Sequence, residues 1–128
     1  MSQPSAFRFH ENHLWCRPRD DGSFVVGISD YAQENLGDIM YFDLPAPGVA
    51  IATGESFGTV ESIKVVNDLI APVGGEVVET NPAIEEDPTL ANTDPYGDGW
   101  LLVVRADSGQ THGLMDEDAY RHYLQGEA

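Results

Sequence analysis

The chain has 128 residues, 22 acids against 6 bases for a net charge of −16, and 41% apolar residues. That length fits one domain (1–128) with a single sizeable core, and the apolar fraction fits a globular rather than a disordered chain. The sign of the charge makes nucleic acid and anionic membrane surfaces poor partners and favours a positively charged protein face, with the plainer reading, that the acids only confer solubility, equally open. In chain order, residues 14–17 and 23–28 flank the turn signal R-D-D-G and predict a hairpin. Asp30 is placed to cap a short helix, with Gln33 three residues on and Gly37 to stop it. Residues 38–44 carry apolar side chains at both parities, which predicts a strand buried on both faces, ended by Pro45 and Pro47-Gly48. A strand over 55–60 leads to Lys64, Asn67-Asp68 reads as a turn, and 73–80 is a further strand after the bend at Gly74-Gly75. Residues 81–96 read as a loop with one helical turn, and 100–105 as a strong strand. Asp116 is placed to cap a helix through Gln125 with Ala119, Tyr120, Tyr123 and Leu124 on its apolar face. Glu117 and Asp118 near its start, and Arg121 and His122 near its end, suit the helix dipole.

Many short strands with a turn about every ten residues predict a mainly antiparallel sandwich or barrel. Similar strands entering and leaving Lys64 hint at two related halves joined there. Cys16 is the only cysteine, so intrachain disulfides and thiolate clusters are out, and a half-buried strand thiol is the expected role. No apolar run approaches membrane-spanning length. The first ten residues show neither a signal core nor an Arg-rich presequence, so the expected location is cytoplasmic.

Lys64 is the only lysine; the other bases are Arg8, Arg17, Arg19, Arg105 and Arg121. Arginine supplies charge, but only lysine supplies a primary amine on a flexible stem. A chain that otherwise avoids lysine keeps this one for its amine. Between two strand-like segments, Lys64 is expected at a hairpin tip, where loops commonly carry function. Ile63, Val65 and Val66 flank it, and exposed apolar residues there call for packing or a partner. Glu61 and Asp68 bracket it; they stabilise the ammonium and so disfavour Schiff-base chemistry, which needs a lowered amine pKa. His10 and His13 are spaced as ligands on a helix would be, but no helix signal or third ligand accompanies them, so a surface or packing role is expected. His112 and His122 carry no signal. Gly97 and Gly99 read as turn glycines. No nucleophile elbow, Walker loop or dinucleotide fingerprint is present, and no self-contained active site emerges.

E-S-I-K at 61–64 with Asp68, followed by A-P-V-G-G-E-V-V-E-T-N at 71–81, resembles the lipoyl-attachment region of the glycine cleavage system H-protein family. V-G-I-S-D-Y-A-Q-E-N-L-G-D-I at 26–39, the L-P-x-x-G pattern at 44–48, D-P-Y-G-D-G-W-L at 94–101 and D-A-Y at 118–120 extend the resemblance over nearly the whole chain. It implies a flattened barrel-sandwich hybrid with small peripheral helices, and a monomeric, non-catalytic carrier. It implies lipoic acid in amide linkage on Lys64, with Glu61, Ser62, Asp68 and Gly75 as the motif around it. The implied partners are a pyridoxal-phosphate glycine decarboxylase (P-protein) that delivers an aminomethyl group, and a folate-dependent aminomethyltransferase (T-protein) that takes the one-carbon unit. The others are dihydrolipoyl dehydrogenase (L-protein), which reoxidises the dithiol, and the lipoyl-attaching enzymes. The lipoyl ring cannot reach the roughly 90° torsion of a relaxed disulfide, so it opens readily. The family often has H-E-W near its start, where this chain has His13-Leu14-Trp15. That departure bears on the cleft that shelters the loaded arm.

Two rival carriers fit less well. Lipoyl domains of 2-oxo acid dehydrogenases usually carry D-K-A and biotin carriers M-K-M, whereas this chain has I-K-V. An H-like protein that mainly relays lipoyl groups to other proteins, and an unmodified β-domain that only binds, remain alternatives.

Overall fold

The computed structural model describes residues 7–19, 21–106 and 114–127. His112 lies outside them. Two antiparallel sheets carry the fold. The larger contains β1 (Arg8–Phe9), β2 (Leu14–Pro18), β3 (Phe24–Ile28), β9 (Leu102–Ala106), β8 (Gly75–Thr80) and β5 (Ala50–Ile51), in that spatial order. The smaller is β4 (Ile39–Asp43), β6 (Ser56–Ser62) and β7 (Val66–Ile70), with β6 central. Among the described residues four short helices lie at the margins: α1 (Asp30–Leu36), α2 (Pro82–Glu86), α3 (Leu90–Thr93) and α4 (Glu117–Glu127). The result is a mainly β two-sheet sandwich whose sheets do not close into a continuous barrel.

Strand alternation builds two cores from one sheet, because successive side chains point to opposite faces. Leu14, Cys16, Val26, Leu102 and Val104 face the smaller sheet and meet Ile39, Phe42, Val60 and Leu69 there. Their neighbours Trp15, Val25 and Val103 face the other way and pack beneath Phe9 and Tyr120 of α4. The larger sheet is therefore the one covered on both sides. Trp15 is fully buried, and its indole lies across Gly27 directly opposite on β3, where a Cβ would come within 2.6 Å of Cε2. The indole N–H donates to the Ile28 carbonyl at 2.8 Å, so its one polar atom is satisfied.

Several expectations need correction. β4 is buried on one face only: Ile39 and Phe42 point inward while Met40 and Tyr41 are both exposed. A register shift between Ile39 and Tyr41 inserts the extra residue, which a period-two reading does not anticipate. Asn67 and Asp68 are not a turn; they lie inside β7, opposite Val60 and Thr59. The cap of α1 is Ser29, whose Oγ accepts from the Ala32 N–H at 3.1 Å, while Asp30 occupies the first turn. Residues 81–96 hold two short helices, not one turn. Cys16 is fully buried. Asp116 does cap α4, accepting from the Ala119 N–H at 2.9 Å, but Ala119 itself is exposed. Because α4 runs to Glu127, Arg121 sits mid-helix and pairs with Asp118 at 2.8 Å, away from the C-terminal dipole end. The hairpin of β2 and β3, and the pairing of β6 with β7 around Lys64, appear as expected.

Candidate functional site: the Lys64 hairpin tip

Lys64 stands on the three-residue connection between β6 and β7, and it is exposed. Ser62, the last residue of β6, builds the turn. Its buried hydroxyl accepts from the backbone N–H groups of Lys64 and Val65, each at 3.2 Å, while the Ser62 N–H donates to the Val65 carbonyl at 2.8 Å. One side chain thus satisfies two donors that a tight turn would leave unpaired. The tip is also fastened to the body of the protein. The Ile63 N–H donates to the Asp38 carbonyl at 2.9 Å.

Beneath the lysine lies the C-terminus of α1. Gly37 adopts φ 76° and ψ −155°, and a Cβ there would sit 3.3 Å from Lys64 Cε and 3.7 Å from Ile63 Cγ2. The aliphatic stem of Lys64 therefore rests across a bare stretch of backbone. That backbone is held from below by Asn92 of α3. The Asn92 amide donates to the Gly37 carbonyl at 2.8 Å and to Gln33 Oε1 at 3.1 Å, and its oxygen accepts from the Ile39 N–H at 3.0 Å. Asn92 joins the end of α1 to the start of β4, and so sets the height of the shelf on which the lysine lies.

The residues expected around the lysine divide. Glu61 is one residue before Ser62, exposed on β6, and lies opposite Tyr41 and Val66. Asp68 is further along β7 and accepts from the Ser56 hydroxyl at 3.3 Å. Among the described residues no ion pair joins either acid to Lys64, whose ammonium is left to solvent. Gly75 belongs to the other sheet, where it opens β8 between Ile51 and Ala106. Gly37 and Asn92 were missed as parts of the site; Gly37 was legible only as a helix stop, and nothing marked Asn92 within a polar loop.

Among the described residues the remaining candidates are not brought together into one cluster. His13, in the left-handed region at φ 73°, lies 2.8 Å through Nδ1 from the Tyr120 hydroxyl, which is also 2.7 Å from Ser29 Oγ. These contacts fasten α4 to the start of α1. His10 Nδ1 accepts from the Asn12 N–H at 3.0 Å, and partial burial lowers its pKa against the opposing pull of Glu11. Among the described residues no group of three metal-ligating side chains converges. Leu14, which replaces the glutamate of the H-E-W pattern, is buried in the main core opposite Ile28. No helix is long and apolar enough to cross a membrane among the described residues. The lining of a shallow concavity, Arg17, Arg19, Val25, Glu79, Trp100 and Val103, lies on the larger sheet and includes the Arg19–Glu79 pair at 3.2 Å.

A two-sheet sandwich that presents one amine on a braced hairpin tip is the barrel-sandwich hybrid of lipoyl- and biotinyl-carrier proteins. Residues 7–127 match the family model for the glycine cleavage H-protein. The chain is 45% identical over 125 residues to the glycine cleavage system H protein of Marinobacter nauticus, covering 97% of this chain and 96% of that protein. It is 49% identical over 117 residues to the probable glycine cleavage system H protein of Natronomonas pharaonis, covering 91% and 92%. A crystal structure of the glycine cleavage system H protein from Mycobacterium marinum superposes with a TM-score of 0.86 at 37% identity, over 98% of both chains. The chain belongs to the glycine cleavage H-protein family.

Proposed function

We propose that this protein is the cytoplasmic, monomeric lipoyl carrier of a glycine cleavage system, with lipoic acid in amide linkage to Lys64. In this reading it takes the aminomethyl group of glycine from glycine decarboxylase to the folate-dependent aminomethyltransferase, and dihydrolipoyl dehydrogenase then restores it. The observation that carries the reading is the chain's only lysine, exposed on a turn that Ser62 and Asp38 hold in place. The residues at the tip fit the group: an accessible primary amine, clear of ion pairs, on a stem that rests against Gly37.

For attachment, the deprotonated Lys64 nitrogen attacks the acyl carbon of an activated lipoyl donor. The C–N bond forms, the bond to the donor's leaving group breaks, and the nitrogen loses its remaining extra proton to solvent. Acylation removes the positive charge from the tip. When attached, the lipoyl group supplies a strained cyclic disulfide that opens readily to a nucleophile. The chain's own contribution is presentation. Ser62 fixes the turn, the Ile63–Asp38 hydrogen bond fixes its orientation, and the four-carbon stem lets the terminus reach successive partners. Tethering raises effective concentration without any bond-making by the protein itself.

The Lys64→Arg variant tests this. The site is exposed, so the fold and its melting temperature should be retained, while acylation and methylamine transfer should both be lost. Methylamine transfer that persists in the Lys64→Arg variant would overturn the reading.

A further inference from the structure

The outward face of the larger sheet carries a recess of about 240 Å³ that plays no part in presenting Lys64. Strand register builds it. Arg17, Val25, Val103 and Glu79 lie directly opposite one another across β2, β3, β9 and β8, and together they line one side of the sheet. Val25 and Val103 are its apolar floor. Arg19, just past the end of β2, reaches over the two intervening strands to meet Glu79 at 3.2 Å. Trp100, two residues before β9, adds an indole to the lining. Two hydrogen-bond donors here are unspent. Among the described residues Arg19, Arg105 and Arg121 each meet a carboxylate and Arg8 donates to the Phe7 carbonyl, but no acceptor lies against Arg17. With 22 acids against 6 bases, a carboxylate for every guanidinium is the expected state, so Arg17 stands apart. It lies over the Phe7 ring at 6.0 Å from the centroid, a contact that uses none of its five N–H donors. The Trp100 indole N–H also has no protein acceptor among the described residues, whereas that of Trp15 is satisfied.

We propose that this recess is a non-covalent binding site for a small organic carboxylate with an apolar body. The carboxylate pairs with Arg17, and the body lies on Val25, Val103 and the Trp100 ring. The chemistry of the lining selects this class. A guanidinium presents parallel N–H donors that match the two oxygens of a carboxylate. Valine and indole surfaces reward an apolar body and give nothing to a bare anion. The size agrees: a cavity of roughly 150 Å³ holds benzene, so 240 Å³ holds one such ring together with its carboxylate. Glu79 is already paired with Arg19, which blunts its repulsion of a bound anion. The rest of the molecule works against casual anion binding, because a net charge of −16 repels anions generally. Occupancy therefore depends on contacts made within the recess. Lys64 belongs to the hairpin of the smaller sheet, so the ligand and an acylated Lys64 occupy separate places.

The test titrates the full-length, nitrogen-15-labelled protein with phenylacetate at physiological salt. The chain has two tryptophans, so its amide spectrum holds two indole N–H signals, which Trp100→Phe assigns. Phenylacetate should shift the Trp100 signal saturably, with a Kd of about 1 mM, as suits so small a ligand. The signal of Trp15, fully buried, should move far less. Acetate lacks the ring and phenylacetamide lacks the charge, and each should bind at least about tenfold more weakly. Arg17→Gln should weaken phenylacetate binding about tenfold or more. Arg17→Lys keeps the charge without the fork and should fall between that variant and the parent. Arg105→Gln, on the same sheet but outside the lining, should bind as the parent does. A retained Trp15 signal and an unchanged melting temperature identify folded variants. No saturable shift at Trp100, an equal response to acetate or phenylacetamide, or undiminished binding by folded Arg17→Gln would each overturn the site. None of these outcomes bears on acylation of Lys64.

Discussion

At Gly37 the backbone takes φ 76° and ψ −155°, a region that only glycine enters without strain. The position also lies under Lys64, so two constraints meet at one residue. Gly37→Ala should destabilise the protein by about 1–3 kcal/mol, read from chemical denaturation; an unchanged midpoint would contradict the account. The Lys64 stem is flexible and gives way easily, so the expected cost lies in the backbone. Cys16 offers a second test. Its thiol pKa is pushed up to about 12 by burial, against a smaller downward pull from Arg8. The unfolded chain deprotonates this thiol from about pH 9 while the folded protein keeps it protonated, so its contribution to stability is complete below that pH. That contribution should be lost progressively as pH rises from about 9 towards 12, with a slope approaching 1.4 kcal/mol per pH unit. Cys16→Ala should remove this component of the slope. An identical alkaline profile in parent and variant would show that the thiol is accessible.

Among the elements, α3 is only four residues long, yet its Asn92 holds the end of α1 and the start of β4 through three hydrogen bonds. Asn92→Ala leaves the Ile39 N–H and the Gly37 carbonyl without these partners, and should cost about 1–3 kcal/mol. Amide hydrogen exchange should quicken at Ile39 before it quickens in β3 or β9. Uniform protection across β4 in that variant would contradict the brace. Nothing in the linear sequence could announce Asn92, because its partners lie 53 to 59 residues away. The β2–β3 hairpin and the Lys64 tip were legible because turn chemistry is local: R-D-D-G marks one, and a lone lysine between strand-like runs marks the other. The same logic failed at Asn67-Asp68, where two turn-favouring residues occupy exposed positions of an edge strand. It failed again in β4, because a bulge changes which side chains face inward without altering the pattern of residue types.

For the whole molecule, a charge of −16 on 128 residues opposes compaction, since like charges are closer together in the folded chain than in the unfolded one. The ion pairs at the surface, such as Arg19–Glu79 at 3.2 Å and Arg105–Glu76 at 3.9 Å, recover little of this. Moderate salt should therefore raise the melting temperature through screening. A melting temperature that falls as sodium chloride rises from near zero to physiological strength would show that specific pairs outweigh the general repulsion. Family membership was visible from motifs spread across the chain, and the two-sheet hybrid followed with it. The double-sided burial of the larger sheet was not visible, because it depends on where α4 folds back.

Lys64 as the site of lipoyl attachment is the claim on which the rest depends. The intact mass of the protein purified from its native host, with peptide mapping across 61–70, addresses it most directly. A lipoyl-sized increment confined to Lys64 is the expected result. A biotin-sized increment there, or fully native protein that carries no increment at all, would contradict it.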